Sequence, residues 1–296
     1  ATTGFEFNYN GEFATAMNNW NLGIDAKLTS SNYSINFFGF GNEAENPDNA
    51  KGLDYNRVKL ETKSFSPSLI RHSHSGAKFK IALPLEKIEI EKTEGRFISD
   101  FDAKTYDSQL FAGVLGKFSF EHYDNKSLPT LGFAFDLSSG WRTNLDKNND
   151  NSYLKSMMSF VHKLNNSGKI TLSTKLQGHL VFQDQFEIYQ AASIGGQDGL
   201  RGFRNQRFTG KQSFYQNTDV RFTLKEKNTS LVPISYGITL GYDYGRVWLE
   251  NDTSNKWHDS YGGSIWLNAI GMATGNLAVF NSSDGIRVSF GVGFGF

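Results

Sequence analysis

The chain has 296 residues, of which 30 are basic, 30 are acidic and none is cysteine. A formal net charge of zero leaves no excess positive charge for nucleic-acid phosphates, and the lack of thiols excludes disulfides and thiolate metal sites. No run approaches the roughly 18 to 20 apolar residues of a membrane-spanning helix, so a helical membrane protein is excluded. The 30 glycines, 26 phenylalanines and 12 tyrosines suit a membrane β-barrel, although a large soluble β-protein would also match.

Strand-length runs separated by polar turns fill the whole sequence. They predict about 14 antiparallel strands, nine before a long loop at 184–212 and five after it. In chain order, the predicted strands lie near Phe5–Tyr9, Trp20–Leu28, Tyr33–Phe40, Tyr55–Ile70, Phe79–Leu85, Leu110–Phe120, Leu131–Trp141, Tyr153–Val161, Ile170–Leu180, Ser213–Lys225, Pro233–Glu250, His258–Leu267, Asn276–Phe280 and Gly285–Phe296.

The connections between these runs differ in length. Short turns are predicted at 73–76, 165–168 and 227–230, and long loops at 41–52, 93–106, 143–152 and 184–212. Outer-membrane barrels have tight periplasmic turns at one end and longer extracellular loops at the other. The alternation therefore predicts which end of each strand faces the outside.

The later strands divide into an apolar face and a polar face with a period of two. In 233–250, Leu240, Tyr242 and Tyr244 alternate with Gly241, Asp243 and Gly245. Successive side chains of a strand point to opposite faces, so one face suits lipid and the other a polar lumen. A closed barrel satisfies the backbone groups that lipid cannot, and most runs meet the ~9–11 residues that such a strand needs.

The last twelve residues show this pattern most clearly. Ile286, Val288, Phe290, Val292, Phe294 and Phe296 point one way, whereas Arg287, Ser289, Gly291, Gly293 and Gly295 point the other. An exposed aromatic stripe at a chain end would be an aggregation-prone edge in water, but it suits lipid. The pattern favours a transmembrane β-barrel over a soluble sandwich.

The loop at 184–212 contains a glycine-rich motif, Gly195-Gly196 followed by Leu200-Arg201-Gly202-Phe203. A phosphate-binding loop is disfavoured because no helix follows to direct its N-terminus at the phosphate. The glycines instead permit the turns and close approaches of a loop that folds back into a crowded lumen. Arg201 would then need carboxylate partners there, and Asp219 and Asp243 project inward from the next two strands.

Three segments share one pattern of charged, glycine and aromatic residues: Leu-Arg-Gly-Phe at 200–203, Asn-x-Asp-x-Arg at 217–221 and Tyr-Asp-x-Gly-x-Val-Trp at 242–248. These segments resemble the barrel of the BamA-type superfamily of outer-membrane assembly and secretion proteins. Leu200 is a mild departure, because the family motif begins with Val or Ile. The resemblance implies that Arg201 of the infolded sixth extracellular loop engages Asp219 and Asp243, with Arg221 and Gly245 on the same inner wall.

The resemblance also assigns a role to the C-terminus and a strand number to the complete barrel. It implies an insertion signal and strand seam formed by Phe290, Gly291, Gly293, Phe294, Gly295 and Phe296. Family barrels usually have 16 strands, so we expect two amino-terminal strands, and any periplasmic or hydrolase domain, to be absent from this 1–296 barrel domain. A smaller barrel is the other possibility.

These observations lead to two functional hypotheses for a monomeric barrel in the bacterial outer membrane. The first is assistance to a polypeptide client that enters or crosses the membrane. The second is an anchor for a fused amino-terminal phosphoesterase or patatin-like lipase, motivated by a short resemblance at 36–43. A diffusion porin is disfavoured by the infolded loop. We expect no catalysis, cofactor, metal or nucleic-acid partner, because no catalytic motif appears and His72 and His74 have no evident third ligand.

Overall fold

The computed structural model describes residues 4–17, 19–147, 149–228, 232–250, 252–269 and 273–294. These residues form strands, one short helix α1 (Asp48–Lys51), and two 3-10 turns at Ala103–Tyr106 and Ile188–Gln190. No helix within them is long and apolar enough to span a membrane. The strands are β1 (Glu6–Met17), β2 (Trp20–Thr29), β3 (Ser34–Asn36), β4 (Arg57–His72), β5 (Ala77–Ala82), β6 (Leu85–Glu91), β7 (Gln109–Tyr123), β8 (Leu131–Asn144), β9 (Asn149–Lys163), β10 (Ile170–Val181), β11 (Ala192–Ile194), β12 (Phe208–Gly210), β13 (Gln212–Asn228), β14 (Pro233–Trp248), β15 (His258–Ala269), β16 (Ala273–Ser282) and β17 (Gly285–Phe294).

Fifteen of these strands belong to one antiparallel sheet, and β11 pairs with β12 in a separate ladder. The order across the large sheet is β1-β2-β4-β5-β7-β8-β9-β10-β13-β14-β15-β16-β17. Strand β3 pairs with β4 beyond the end of β2, and β6 lies with β5 between β4 and β7. The described residues therefore form thirteen strand positions.

The sequence predicted one more strand position before the long loop. The run 33–40 is the difference, because only Ser34–Asn36 pairs as a strand. Gly39 and Gly41 have φ angles of 102° and 92°, which turn the chain inward, and Phe37 and Phe38 are buried. The five strands predicted after the loop correspond to β13 to β17.

The two faces of the sheet differ as the alternation predicts. On β17, Ile286 is 71% exposed and Phe290 is 75% exposed, as expected for side chains that lipid would cover. On β14, Leu240 and Tyr242 lie on this outer face, whereas Asp243 is fully buried on the inner one. On both strands these apolar side chains therefore lie on the outer face, and on β14 the buried carboxylate lies on the inner face.

Contacts between distant strands show that the sheet is curved. Asn268 Nδ2 in β15 donates to Ser127 Oγ in the β7–β8 turn at 2.6 Å. At the opposite end, Asn46 Nδ2 near α1 donates to Asp284 Oδ2 in the β16–β17 turn at 2.9 Å. Within the described residues, the end strands β1 and β17 each pair with a single neighbour.

Long connections lie mostly at one end of the strands. The connections at 37–56, 92–108 and 182–211 are long, whereas the turn at 73–76 at the other end is short. The prediction of a long loop at 143–152 is wrong, because β8 continues to Asn144 and β9 begins at Asn149. We assign the end with the long connections to the extracellular side.

At the extracellular end, part of the sheet extends beyond the apolar band of the outer face. This raised wall consists of residues 57–63 of β4 and 87–91 of β6, and its outer face carries charges such as Lys59, whose Nζ lies 2.7 Å from Glu91 Oε1. Its inner face is apolar. Val58, Leu60, Ile88 and Ile90 pack there with Phe37, Ile98 and Phe111 as a buried cluster.

Candidate functional site

The guanidinium of Arg201 binds two carboxylates on neighbouring strands. Its Nη1 and Nη2 donate to Asp219 Oδ2 and Oδ1 at 3.1 and 2.8 Å. Its Nε and Nη2 donate to Asp243 Oδ1 at 3.0 and 2.5 Å, and the Arg201 backbone N–H donates to Asp243 Oδ2 at 2.9 Å. Fork-shaped contacts of this kind fix orientation as well as charge.

Asp243 is fully buried and has further donors besides Arg201. Asn217 Nδ2 donates to Asp243 Oδ1 at 2.7 Å, and Ser260 Oγ donates to Oδ2 at 3.0 Å. A buried carboxylate is tolerated when it is paired and its oxygens accept hydrogen bonds. The arrangement therefore gives both carboxylate oxygens of Asp243 hydrogen-bond donors inside the barrel wall.

Strand register explains why these groups meet. Asn217 lies opposite Asp243, and Asp219 lies opposite Gly241, so both acids are on the inner face of β13 and β14. A Cβ at Gly241 would lie 2.5 Å from Asp219 Oδ1 and 2.7 Å from Arg201 Nη2, so the absence of a side chain makes room for the ion cluster. The sequence did not single out Gly241.

An aromatic ring completes the surroundings of the guanidinium. Cζ of Arg201 lies 4.2 Å from the ring centroid of Phe280 in β16, which is a cation–π distance. Phe280 is buried on the inner face of the sheet. Its role was missed because it lies 79 residues from Arg201 in the chain, and only the barrel register brings them together.

The motif backbone fits closely against the wall and against itself. Gly195 and Gly196 have φ angles of 136° and 56°, and a Cβ at Gly195 would lie 2.4 Å from Arg204 O. Gly202 lies where a Cβ would be 2.7 Å from Ser260 Cβ. Leu200 and Phe203 are buried in one apolar cluster. The cluster consists of Ile194, Leu200, Phe203, Phe208, Tyr215 and Val247.

Ser260 links the loop to the carboxylate and yields a first prediction. Its Oγ accepts from Gly202 N at 3.1 Å while donating to Asp243 Oδ2 at 3.0 Å. We expect Ser260→Ala to destabilise loop docking by about 1–3 kcal/mol, because a buried N–H and a carboxylate lone pair each lose a partner. Faster cleavage of residues 184–212 by added protease would show this, and unchanged cleavage would contradict it.

A second pair of arginines holds the loop at the extracellular end. Arg204 Nη1 lies 2.6 Å from Asp48 Oδ1, and Arg207 Nε lies 2.7 Å from Asp284 Oδ2. The guanidinium carbons lie 5.3 and 4.9 Å from the centroid of the Phe38 ring. Asp48 and Asp284 belong to different connections, so these ion pairs join the loop to both.

The 37–56 connection also contacts the wall at the extracellular rim. Asn42 Nδ2 donates to Val247 O at 2.7 Å, and Val247 N donates to Asn42 Oδ1 at 3.0 Å. Hydrogen bonds from Ser254 and Lys256 lower the pKa of Glu43 in this exposed region. The connection, the loop and the 249–257 connection therefore form one bonded assembly.

Two predicted inner-wall residues have different surroundings. Arg221 lies apart from the motif, because it is one inward position beyond Asp219 towards the periplasmic end and its Nη2 donates to Pro129 O at 2.5 Å. Gly245 lies opposite Tyr215, where a Cβ would be 2.9 Å from Tyr215 Cβ. Arg221 thus lies on the inner wall as expected, its role beside the motif stays a prediction, and Gly245 gives space to a buried ring that contacts the loop.

The C-terminal residues are described up to position 294. Phe290 lies on the outer face of β17, and Gly291 and Gly293 alternate with it on the inner face. A Cβ at Gly293 would have no heavy atom within 4 Å, so the inner face is open there. Phe294 closes the strand, while Gly295 and Phe296 of the predicted insertion signal lie outside the described residues.

His72 ends β4 and contacts a glutamate, and His74 lies two residues further along the chain. His72 Nε2 lies 2.5 Å from Glu12 Oε1, and His74 lies in the adjacent turn. Among the residues with described coordinates, no group of three or more His, Cys, Asp or Glu side chains could hold a metal ion. The expectation that the protein has no metal site stays a prediction.

The family model of the Omp85 superfamily domain matches residues 2–296, which is almost the entire chain. The chain belongs to the Omp85 superfamily. No curated protein sequence matches it. Membership confirms the predicted antiparallel transmembrane barrel and its place in the outer membrane.

Solved structures show the same Omp85 fold. BamA from Haemophilus ducreyi lacking POTRA domains 1–3 matches with a TM-score of 0.67 and 14% identity, over 98% of this chain and 61% of that one. CdiB from Escherichia coli has a TM-score of 0.54 and 15% identity over 94% and 50%. CdiB from Acinetobacter baumannii has a TM-score of 0.57 and 12% identity over 98% and 50%. The chain thus spans about half to three fifths of these proteins.

Proposed function

We propose that this Omp85 barrel assists the insertion of polypeptides into the outer membrane or their passage across it. The observation that carries the proposal is the Arg201 cluster, which attaches the motif of the long loop to the inner face of β13 and β14. A loop held there occupies the lumen. A polypeptide that passes this barrel must then either displace the loop or leave through the barrel wall. An open diffusion pore is disfavoured.

The C-terminal edge suits contact with a client chain. Strand β17 has glycines at 291 and 293 on its inner face, and glycine weakens the packing of a strand. Within the described residues its ladder has a single partner, β16, so its other edge presents backbone donors and acceptors. These features support a role for β17 in receiving an extended polypeptide.

A cysteine cross-linking experiment tests the proposal. The native chain has no cysteine, so a single Gly293→Cys substitution gives one reactive thiol at an open inner position. In cells that express the full-length protein, we expect a thiol cross-linker to give polypeptide adducts with this variant. Thr174→Cys is the matched control, because Thr174 lies on the outer face of β10 in the middle of the sheet. Adducts from both variants alike, or from neither, would contradict the proposal.

The anchor hypothesis is the second candidate, and it rests on residues 36–43. Asn36 Nδ2 donates to Asn205 O at 3.1 Å, and Asn42 binds the Val247 backbone, so barrel packing already accounts for these side chains. The gene upstream of Ala1 distinguishes the two functions. A phosphoesterase or lipase domain encoded there favours anchorage, and transport repeats favour assembly.

We propose no catalytic role for the paired acids. Asp219 and Asp243 are 2.8 and 2.5 Å from the same guanidinium nitrogen, and a nearby cation keeps carboxylates ionised and poor as proton donors. Their role in this proposal is to hold the loop. Loop position, rather than a reaction rate, is therefore the property that their substitution should change.

A further inference from the structure

A groove of about 940 Å³ lies in the outer face of the barrel across β5, β7 and β8. Most of its lining residues on these strands lie on the outer face: Phe79 and Ile81 on β5, Gly116 and Phe118 on β7, and Leu137 and Ser139 on β8. Phe79 and Ile81 are exposed there, and Lys80 and Lys117 of the inward row contribute only where these strands pass the groove. The groove therefore opens towards lipid rather than towards the lumen.

The register defines the walls and floor of this groove. Ile81, Gly116 and Ser139 form one row across the three strands. Phe79, Phe118 and Leu137 form the next row, with ring centroids of Phe79 and Phe118 4.8 Å apart. The small side chains at 116 and 139 give a depression beside bulky apolar ones. Such a depression on a lipid-facing surface matches a hydrocarbon chain in shape and polarity.

One end of the groove is polar and positively charged. Arg71, Trp20 and His74 line it near the short turn at 73–76. The Arg71 guanidinium carbon lies 5.9 Å from the Trp20 ring centroid. Among the described residues, Arg71 forms no ion pair with a carboxylate, and no acidic side chain lines the groove.

The two lysines of the lining have partners on the inner side. Lys80 Nζ pairs with Asp25, and Lys117 Nζ lies 3.4 Å from Asp136 Oδ1. Both acids belong to inward rows of the sheet. Arg71 is therefore the cation that this groove presents to the membrane in the described part of the chain.

The position of Arg71 sets its depth in the membrane. The short turns mark the periplasmic end, so Arg71 and Trp20 lie where that leaflet meets water. Tryptophan and arginine are typical of this interface, and clusters of basic residues there attract anionic lipid headgroups. The apolar rows extend from this point into the hydrocarbon region.

We propose that the groove binds one phospholipid of net negative charge from the periplasmic leaflet. Its phosphate contacts Arg71, and an acyl chain lies over Gly116 and Ser139, against the side of the Phe79 and Phe118 rings. A zwitterionic lipid would bring an ammonium group, and the described lining offers no carboxylate to receive it. The site therefore prefers an anionic headgroup.

Native mass spectrometry of the full-length protein tests the headgroup contact. The protein is equilibrated with equal amounts of phosphatidylglycerol and phosphatidylethanolamine, and the lipids retained after detergent release are counted. We expect one retained phosphatidylglycerol, and about fivefold weaker retention in Arg71→Gln, which corresponds to about 1 kcal/mol. Arg57→Gln is the matched control, because Arg57 is an arginine of the same strand near its extracellular end and pairs with Asp54. Equal retention by Arg71→Gln and Arg57→Gln would overturn the proposal.

A second variant tests the acyl-chain contact without changing charge. A Cβ at Gly116 would have Ser139 O at 3.9 Å as its nearest atom, so Gly116→Leu fits the fold and fills the floor of the groove. We expect it to reduce phosphatidylglycerol retention as much as Arg71→Gln, with unchanged heat-modifiable gel mobility. Retention at the wild-type level would overturn the proposal. So would displacement of the lipid by inorganic phosphate, because the site would then recognise an ion rather than a lipid.

Discussion

Arg201→Ala is expected to release the long loop from the barrel wall. The substitution leaves Asp243, which is fully buried, without its cation, and Asp219 loses both of its donors. Removal of one partner from a buried ion pair costs about 3–5 kcal/mol. We expect faster proteolysis within 184–212 and a lower denaturant midpoint, with the apolar outer face unchanged.

Two further variants separate charge from geometry at this position. Arg201→Lys keeps the cation but cannot bind both carboxylates in a fork, so we expect an intermediate loss. Arg221→Ala is the matched control, since Arg221 donates to a backbone carbonyl and forms no carboxylate pair in the described residues. If Arg201→Ala and Arg221→Ala gave equal protease sensitivity, the ion cluster would not be what holds the loop.

Gly241→Ala should disturb the same cluster without removing any charge. The added Cβ would lie 2.5 Å from Asp219 Oδ1, 2.7 Å from Arg201 Nη2 and 2.9 Å from Phe280 Cζ. Overpacking of this kind costs about 1–3 kcal/mol. We expect a lower denaturant midpoint together with increased loop cleavage, because the side chains that must move are the ones that bind the loop.

Gly178→Ala provides the comparison for that variant. Gly178 lies in β10 and has no heavy atom within 4 Å of an added Cβ, so the same chemical change should be neutral or slightly stabilising there. Both variants are compared in one unfolding series. An equal midpoint for the two would mean that the space at Gly241 is not required by the Arg201 cluster.

The sequence was sufficient to predict the strand faces and the three charged residues of the site. Alternation placed Asp219 and Asp243 on the inner face, and the motif resemblance linked them to Arg201. The partners that complete the site, Ser260 and Phe280, could not be predicted, because they depend on the register of β15 and β16 relative to β14. A sequence pattern shows which face a residue occupies, but not which residue lies opposite it.

Local backbone geometry caused the main error in the predicted strands. The run at 33–40 has the apolar content of a strand, yet the pairing ends at Asn36, Phe37 packs inward with the raised wall, and positive φ angles follow at Gly39 and Gly41. The ion pairs of Arg204 and Arg207 were missed for another reason. Their partners Asp48 and Asp284 lie 156 and 77 residues away, and only the curvature of the sheet brings these connections together.

The raised wall has a consequence for how the barrel unfolds. Its residues at 57–63 and 87–91 place charges outside and aliphatic side chains inside, so water drives its cohesion as it does in a soluble domain. Below it, hydrocarbon surrounds the strands and supplies no such force. Aqueous denaturant should therefore unfold the raised wall first, and the strands should then lose their order from the extracellular end towards the periplasmic end.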